Sequence, residues 1–299
     1  MIIAITGSSG LVGTALVDAL QADGHVARRI VRRPAHDYNR EIQWDPVAGT
    51  IEAAKLGDVD AIVHLAGENL AAHRWNEATK ARIRDSRILG TRLLCQTIAS
   101  LPTRPAVLVS ASAVGYYGDR GEEPVDESSP PGRGFLAELC QQWEAETRIA
   151  RDADIRVVNL RLGVVLSPHG GALAKMLTPF KLGVGGVIGS GQQYFSWIAL
   201  DDVVRVMQFT LAAAAVCGPV NAVAPQPVTN REFTKTLGRV LHRPTVFPLP
   251  EFAARLAFGE MADEMLISGV RVEPRALLSA GFEFRHPVLE PAMQGMLVS

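Results

Sequence analysis

The amino-acid sequence predicts an α/β fold in which helices cover both faces of a largely parallel sheet. Short β-branched runs alternate with longer segments of helical periodicity in the first half of the chain, and a glycine-rich joint follows the first run. This alternation is typical of parallel strands joined by crossover helices. The chain has 299 residues, of which 47% are hydrophobic, so it can bury a substantial core.

The first half predicts six strands separated by three helices. The strands lie near Ile2 to Thr6, Val26 to Val31, Ile42 to Trp44, Ala61 to Leu65, Ala106 to Ser110 and Ile155 to Leu160. The helices span about 11–23, 76–100 and 134–152. In the second helix the apolar residues recur at helical spacing and the charged residues lie mostly on other faces, so this helix is amphipathic.

The second half of the sequence is less regular. Seven glycines crowd residues 170–191, which therefore cannot form one regular element, and we expect loops that shape a pocket there. A helix is predicted after Asp201, and another begins at the capping box formed by Thr229 and Glu232. The stretch FPLPEF then leads into a small helical unit, which covers the core or makes a subunit contact, so a homodimer is possible.

Composition and charge argue against several classes of protein. A net charge of −1 gives no general attraction to nucleic acid. The N-terminus lacks the pattern of a signal peptide, and no apolar run reaches the roughly 18 residues that span a bilayer. Cys95, Cys140 and Cys217 are scattered, without disulfide-framework or metal-ligand spacing. We therefore expect a cytoplasmic protein with no metal site, no nucleic-acid partner and no membrane contact.

Three glycines, Gly7, Gly10 and Gly13, lie between the first strand and the first helix with the spacing G-x-x-G-x-x-G. This spacing suits a tight turn, a backbone open to a pyrophosphate, and close approach of helix to sheet, with the first amides of the helix facing the anion. A plain strand-to-helix turn is the alternative. The position after the first strand of a βαβ pattern favours a dinucleotide site.

The second strand ends in VRRP and not in the acidic residue that binds the ribose 2′-hydroxyl of NAD. Arg32 and Arg33 stand where the 2′-phosphate of NADP would lie, and a guanidinium matches phosphate geometry. The sequence therefore favours NADP (NADPH) over NAD. The alternative is a solvated pair of surface arginines.

Several motifs together resemble those of a known family. The motifs are TGSSGLVG, HLAGENL at 64–70, SASAVGYYG at 110–118 and FSWIALDDVV at 195–204. They resemble the extended and atypical short-chain dehydrogenase/reductase superfamily, in its NAD(P)-dependent epimerase/dehydratase group. GYYGDRGEEPVDE, QQWE, RLGVVLSPHGGALAKML and the tail RVEPRALLSAGFEFRHPVLEPAM are similar to the uncharacterised branch that carries a small C-terminal domain of unknown function.

The resemblance implies a Rossmann-type, doubly wound parallel sheet. It also implies a domain organisation, in which residues 1–248 form an NAD(P)-binding epimerase-like domain and residues 249–297 a small C-terminal domain. Within the larger domain, about 1–165 form the cofactor half and about 166–248 the substrate-side elements.

The resemblance also implies which residues bind the cofactor. Those matching the pyrophosphate loop are Gly7, Ser9, Gly10, Leu11, Val12 and Gly13, and Arg32 matches the 2′-phosphate contact. Leu65, Ala66 and Gly67 match the strand end beside the adenosine ribose, Ser110 and Ala111 the strand end near the nicotinamide, and Arg161, Gly163 and Val164 the next strand's exit. Arg87 matches a contact from the long helix. Glu68 and Asn69 directly follow the fourth strand. Polar groups at the carboxyl end of such a strand face the ligand crevice.

Catalysis in the superfamily uses a Ser or Thr together with a Tyr-x-x-x-Lys pair that passes a proton. Ser112 can fill the first role, but the expected helix offers only Phe135 with Leu139, or Leu136 with Cys140. Tyr116 is the first candidate for the missing acid/base, and the other candidates are Tyr117, Glu68 and Lys175. Packing under a loop is the alternative role for the two tyrosines.

Two functions remain open at this point. The first is an NADP-binding oxidoreductase or epimerase-like enzyme that acts on a small carbonyl or sugar-like substrate, with Ser196 and Trp197 lining the substrate pocket as in extended relatives. The second is a non-catalytic NADP-sensing or scaffold protein, a class that includes relatives labelled cell-division inhibitors. His64, at a strand end, is predicted to be a hydrogen-bonded structural group.

Overall fold

The computed structural model describes residues 1–297 and confirms the predicted α/β fold. In order, its strands are β1 (Ile2–Thr6), β2 (Val26–Val31), β3 (Glu41–Asp45), β4 (Thr50–Ile51), β5 (Ala61–His64), β6 (Val107–Ala113), β7 (Pro124–Val125), β8 (Arg156–Leu162), β9 (Val164–Ser167), β10 (Tyr194–Phe195), β11 (Trp197–Ala199), β12 (Gly218–Ala222), β13 (Val228–Thr229) and β14 (Arg271–Val272).

The helices alternate with these strands. They are α1 (Leu11–Ala22), α2 (Glu77–Ala99), α3 (Phe135–Glu146), α4 (Arg148–Arg151), α5 (Gly171–Lys181), α6 (Leu200–Ala212), α7 (Asn230–Val240), α8 (Glu251–Phe258), α9 (Glu260–Ala262), α10 (Arg275–Ser279) and α11 (Leu289–Leu297). Among these described residues, no helix combines the length and apolarity needed to cross a membrane.

Eight strands form the main sheet in the order β12-β8-β6-β5-β1-β2-β3-β4. Strand β1 pairs in parallel with both β2 and β5, and the pairs β2–β3 and β5–β6 are also parallel. Strand β4 runs antiparallel to β3 at the edge. The direction of strand addition reverses at β1, and in sheets of this type ligands bind at the carboxyl ends of the strands beside that switch point.

The chain divides into two compact units, each described by itself below. Unit 1 comprises Met1–Ser112, Leu139–Leu160 and Val204–Val220, and unit 2 comprises Ala113–Glu138, Arg161–Val203 and Asn221–Ser299. The domain boundary at residue 248 remains a prediction.

Unit 1 contains most of the main sheet, and its core explains why these segments form strands and helices. Strand β1 is apolar along its length and almost wholly buried, as expected of a parallel strand covered on both faces. Helix α1 buries Gly13, Leu16, Val17 and Leu20, which recur at helical spacing. Helix α2 starts where the Asn76 carboxamide accepts a hydrogen bond from the Thr79 amide (2.8 Å).

The helix predicted over 134–152 is divided in the structure. Helix α3 ends at Glu146 and the short helix α4 starts at Arg148. The Thr147 amide donates to the Glu144 carbonyl only three residues earlier (3.2 Å), so the chain turns more tightly here than in an α-helix. The prediction of one helix was therefore wrong at Thr147.

Unit 2 is built from short strand pairs and helices. Strands β9 and β11 pair in parallel, as do β7 and β14, and β10 pairs with β13 antiparallel. The predicted capping box of α7 is present, since the Thr229 hydroxyl accepts from the Glu232 amide and the Glu232 carboxylate accepts from the Thr229 amide. The glycine-rich segment contains helix α5, which the sequence did not predict, and the other glycines follow that helix as a loop.

Candidate functional site

The glycine joint between β1 and α1 has no room for side chains. Gly7 has a φ of +66°, which favours glycine, and a Cβ there would lie 2.8 Å from the Leu65 carbonyl group. A Cβ on Gly13 would lie 2.2 Å from the Gly7 carbonyl oxygen. The joint therefore packs directly on the backbone that follows β5, and the first turn of α1 packs directly on the joint.

The start of α1 is open to a ligand on its outer side. Gly10 is the N-cap residue, so no side chain caps the helix, and its amide donates to the Gly7 carbonyl (3.0 Å). Ser9 and Gly10 are exposed, while Leu11 and Val12 are half-buried. The predicted pyrophosphate residues thus surround a helix N-terminus whose amides can bind an anion.

His64, at the end of β5, is completely buried and hydrogen-bonded through both ring nitrogens. Nδ1 lies 2.7 Å from the Thr6 hydroxyl and Nε2 lies 2.9 Å from the Thr91 hydroxyl. The Thr6 hydroxyl also accepts hydrogen bonds from the amides of Leu65 and Ala66 (3.0 and 3.1 Å). This chain fixes the backbone at which the adenosine ribose is expected, and the hydrogen bonds confirm that His64 has the predicted structural role.

The partners of Thr91 determine where the imidazole carries its proton. The Thr91 hydroxyl donates to the Arg87 carbonyl (2.7 Å) and accepts from the Trp143 indole N–H (2.8 Å), so it can only accept from His64 Nε2. Nδ1 is then the acceptor of the Thr6 hydroxyl proton. Burial lowers the pKa of His64 to about 4, and the ring is neutral at physiological pH.

Arg87 is a buried cation beside the end of β5. Its guanidinium donates to the Ile83 carbonyl (3.0 Å) and the Glu68 carbonyl (3.1 Å), and it lies 5.1 Å from the Trp143 ring centroid. A Cβ on Gly67 would lie 3.1 Å from its central carbon. Within residues 1–297 no carboxylate forms an ion pair with Arg87, and burial lowers its pKa. A buried guanidinium without a carboxylate partner favours an anionic ligand.

The two arginines after β2 are in different environments. The Arg33 guanidinium donates to both carboxylate oxygens of Glu41, at 2.9 Å from Nη1 and more closely from Nη2. These bonds, with one from the His36 amide, lower the pKa of Glu41 to about 2. Arg32 is exposed and has no hydrogen-bond or ion-pair partner within residues 1–297. Arg32 is thus the arginine whose charge is free for a phosphate.

Ser110, Ala111 and Ser112 lie in the last part of β6 and are all buried. The Ser112 hydroxyl donates to a carboxylate oxygen of Glu144 on α3 (2.7 Å). The sequence did not predict this partner. Glu144 follows Cys140 by four residues and Leu136 by eight, so it lies on the helix face of that pair, one of the two places where the resemblance puts the superfamily's Tyr and Lys. That spacing is the signal that could have identified Glu144.

In unit 2, the other catalytic candidates form a cluster around a buried arginine. The central carbon of Arg161 lies 3.4 Å from the Tyr116 ring centroid, and its Nη1 donates to the Tyr117 hydroxyl (2.9 Å). The Tyr117 hydroxyl donates to the Asn221 side-chain carbonyl (2.7 Å). Tyr117 is completely buried, which raises its pKa to about 12, whereas Tyr116 is half-buried. Of the two tyrosines, Tyr116 is the better placed for proton transfer.

The remaining candidates in unit 2 have mainly structural contacts. The Gly163 amide donates to the Ala222 carbonyl (3.1 Å), and the Val164 amide donates to the Ser196 carbonyl (2.9 Å). The Ser196 hydroxyl donates to the Val270 carbonyl (2.6 Å) and accepts from the Val272 amide (3.1 Å). Trp197 is buried, and Lys175 is exposed on α5. Ser196 and Trp197 thus have structural contacts, and their place in a substrate pocket stays a prediction.

Among residues 1–297, no three His, Cys, Asp or Glu side chains come together as a metal ion would require.

This chain is similar to known proteins along most of its length. Residues 3–222 match the model of the NAD dependent epimerase/dehydratase family, and residues 249–295 match a domain of unknown function, DUF1731. The epimerase family protein Mb2239 of Mycobacterium bovis is 49% identical, over 98% of this chain and 96% of the relative. The epimerase family protein YfhF of Bacillus subtilis is 35% identical, over 99% of this chain and 98% of the relative.

Solved structures show the same similarity. The crystal structure of the human epimerase family protein SDR39U1 with NADPH is 37% identical, with a TM-score of 0.92 over 100% of both chains. The UDP-N-acetylglucosamine 4-epimerase of Bacillus cereus is 19% identical, with a TM-score of 0.76 over 99% of this chain and 98% of that one. At that identity the second likeness shows the fold alone.

Proposed function

This chain belongs to the NAD dependent epimerase/dehydratase family, and from that membership we propose that it is an NADPH-binding oxidoreductase or epimerase-like enzyme. Its substrate would be a small carbonyl or sugar-like molecule. The observation that carries the cofactor part of the proposal is Arg87, a buried guanidinium with no carboxylate partner in residues 1–297, beside Gly67. A phosphate group would supply the missing negative charge.

Other residues of unit 1 suit the same ligand. The amides at the start of α1 would bind the pyrophosphate, because Gly7, Gly10 and Gly13 leave them uncovered. Arg32 would meet the 2′-phosphate. The human relative that was crystallised with NADPH supports this choice of cofactor.

The remaining predicted contacts complete the proposed site. The backbone at 65–67, with Glu68, would contact the adenosine ribose, and Ser110, Ala111, Arg161, Gly163 and Val164 would lie on the nicotinamide side.

A hydride carrier needs a separate route for the proton, and the side chains of this protein must provide it. NADPH, when bound, supplies the hydride. We propose that the Ser112 hydroxyl orients a substrate oxygen and that Glu144, which accepts a hydrogen bond from Ser112, is the general acid/base: in its protonated form it would give the proton to the oxygen of a carbonyl that receives the hydride. Tyr116 is the second candidate for proton transfer, since its ring faces Arg161 and its burial is incomplete.

Titration of the purified protein with NADPH and NADH tests the cofactor part. We expect NADPH to bind more tightly, since only NADPH carries the 2′-phosphate. Absence of binding to either dinucleotide, or a clear preference for NADH, would contradict the proposal.

A substrate screen tests the catalytic part. Carbonyl compounds and nucleotide sugars are incubated with NADPH or with NADP⁺. Reduction is followed by loss of absorbance of the reduced nicotinamide, and epimerisation, which consumes no cofactor overall, by analysis of the sugar product. With a compound that is turned over, S112A and E144Q should each lower kcat about 100-fold or more, because an acid/base group contributes about 10²–10⁴. E146Q, which removes a neighbouring carboxylate paired with Arg92, is the matched control and should retain activity.

A second candidate function is an NADP-sensing or scaffold protein without turnover. Neither Phe135 with Leu139 nor Leu136 with Cys140, the two pairs that the expected helix offers, can replace a Tyr-x-x-x-Lys pair. This function predicts tight NADPH binding with no turnover in the screen. Turnover that S112A or E144Q abolishes would exclude it.

A further inference from the structure

We propose that Glu41 and Arg33 form a positioning pair that holds the segment after β2 in place, so that Arg32 alone contacts the 2′-phosphate of NADPH. The inference rests on the proposed binding of NADPH. It gives Arg33, which the sequence also places near that phosphate, a separate role from Arg32.

The first support is the way in which the segment is folded around one carboxylate. Glu41, the first residue of β3, is only 7% exposed. Its carboxylate accepts two hydrogen bonds from the Arg33 guanidinium, one from the His36 amide (2.6 Å) and a longer one from the Asp37 amide (3.4 Å). Arg33 also donates to the Pro34 carbonyl (2.9 Å). The Glu41 side chain thus holds both Arg33 and the backbone at His36, at the start and the end of the turn that follows Arg32.

A second anchor acts on the same segment. The Lys55 ammonium donates to the Glu41 carbonyl (3.2 Å) and to the Glu52 carboxylate (3.0 Å), and it lies 3.6 Å from the Tyr38 ring centroid. The main chain at Glu41 and the ring of Tyr38 are therefore held by one cation. These contacts join the segment after β2 to the main chain of β3, next to the backbone from which Arg32 extends.

The third support is the distribution of charge between the two arginines. Arg33 is committed in a bidentate ion pair, and a carboxylate that accepts several hydrogen bonds does not release its partner readily. Arg32, which is exposed, has no partner within residues 1–297. If Arg33 left Glu41 for the phosphate, a shielded carboxylate would lose its counter-ion beside a dianionic group, which is unfavourable.

Binding measurements on charge-neutral variants test the inference. Dissociation constants for NADPH and NADH are measured at constant ionic strength for the wild type, R32Q, R33Q, E41Q, the R33Q/E41Q double variant and the control E146Q. The control removes a carboxylate from another bidentate pair of unit 1, between Arg92 and Glu146. It therefore changes the net charge as E41Q does.

The sign of the E41Q effect decides the result. Removing a negative charge favours an anionic ligand by simple electrostatics, so E146Q should leave NADPH binding unchanged or slightly tighter. If Glu41 acts by positioning, E41Q weakens NADPH binding about 3- to 10-fold in spite of the added positive charge, and NADH binding changes less than 2-fold. Equal or tighter NADPH binding by E41Q would overturn the inference.

The arginine variants give an independent result, which also serves if E41Q does not fold. R32Q should weaken NADPH binding about 10- to 100-fold, because a hydrogen bond to a charged group contributes about 1.5–3 kcal/mol. R33Q should weaken NADPH binding only as much as E41Q does. The double variant should lose no more NADPH affinity than the weaker-binding of the two single variants. A loss for R33Q as large as that for R32Q would assign the phosphate contact to Arg33 and overturn the inference.

NADPH binding by the wild-type protein distinguishes failure of the inference from failure of the proposed function. A wild-type protein that prefers NADPH, combined with an unaffected E41Q variant, rejects the positioning pair alone. A wild-type protein that does not bind NADPH rejects the proposed function and this inference with it.

Discussion

The buried imidazole of His64 ties together the ends of two central strands in unit 1. Its neutral form satisfies every hydrogen-bonding group of the chain that runs from Thr6 to Thr91. A second proton on the ring would face the Thr6 hydroxyl, which already accepts the amides of Leu65 and Ala66. The folded state therefore opposes protonation, and stability depends on pH.

We predict that this histidine makes the protein less stable in mild acid. The folded-state pKa is about 4, below the unfolded value of about 6.5, so its contribution is fully present above pH 6.5 and is lost as the pH falls toward 4. The loss approaches about 3 kcal/mol at pH 4. Urea unfolding of wild type and H64Q between pH 7 and pH 4 should show a shallower pH dependence for H64Q. Parallel curves would contradict the prediction.

The joint between β1 and α1 is the element on which the proposed cofactor site depends. We predict that G13A lowers the free energy of unfolding by about 1–3 kcal/mol, because its Cβ would lie 2.2 Å from the Gly7 carbonyl oxygen. NADPH binding should weaken at least 10-fold, since the joint must shift away from the helix start. Urea unfolding and dinucleotide titration measure the two effects.

The matched control for that variant is G57A. Gly57 has a φ of −70°, and a Cβ there would make only ordinary contact, 3.7 Å from the Ala54 carbonyl oxygen. Stability and NADPH affinity should stay unchanged or rise slightly. Equal losses for the two variants would mean that the close approach at Gly13 is unimportant.

The start of helix α3, which lies in unit 2, depends on a side chain of the same unit. The Glu264 carboxylate accepts hydrogen bonds from the amides of Phe135 and Leu136 (3.1 and 3.3 Å) at the start of the helix. We predict that E264A lowers the free energy of unfolding by about 1 kcal/mol, through loss of a cap and of a charge that favours the helix dipole. E122A, at an exposed carboxylate, should change it by less than about 0.5 kcal/mol in the same urea titration.

Local sequence patterns predicted the strands and helices whose buried apolar residues recur at regular spacing. The remaining helices and helix ends depend on contacts that such patterns do not show. The main strands and the start of α7 have patterns that packing reinforces, so their predicted positions agree with the structure. The division of the third helix at Thr147 is a local change in backbone hydrogen bonding, which the apolar pattern does not predict. Helix α5 was missed because glycines at both ends hide an apolar face that packs in the core of unit 2.

The candidate site was predictable to the same degree. The glycine spacing and the arginines after β2 follow from local sequence, because their neighbours along the chain define their geometry. The partnerships of Ser112 with Glu144 and of Arg33 with Glu41 join different segments of the chain, so the sequence does not pair them, although the spacing of Glu144 from Cys140 places it on a candidate face of its helix. The assignment of individual cofactor and catalytic residues remains a prediction, as does the possible homodimer.

For the molecule as a whole, ligand binding and stability are linked. We predict that NADPH at 100 times its dissociation constant raises the free energy of unfolding by about 2.7 kcal/mol, and that NADH at the same concentration raises it less. R87M should lose most of this gain, because it removes the buried cation. R92M, on the same helix but paired with Glu146, should keep it. Thermal unfolding with and without each dinucleotide provides the measurement.

The closed hydrogen-bond chain of Thr6, His64 and Thr91 has a spectroscopic consequence. Because the imidazole holds a single tautomer and cannot turn over without separating the strand ends, its two nitrogens should give distinct, slowly exchanging NMR resonances. Those signals come from a ring whose neighbours lie beside the glycine joint. In a protein isotopically labelled only at histidine, a change in these resonances would report whether a ligand bound at the joint alters the interior of the sheet.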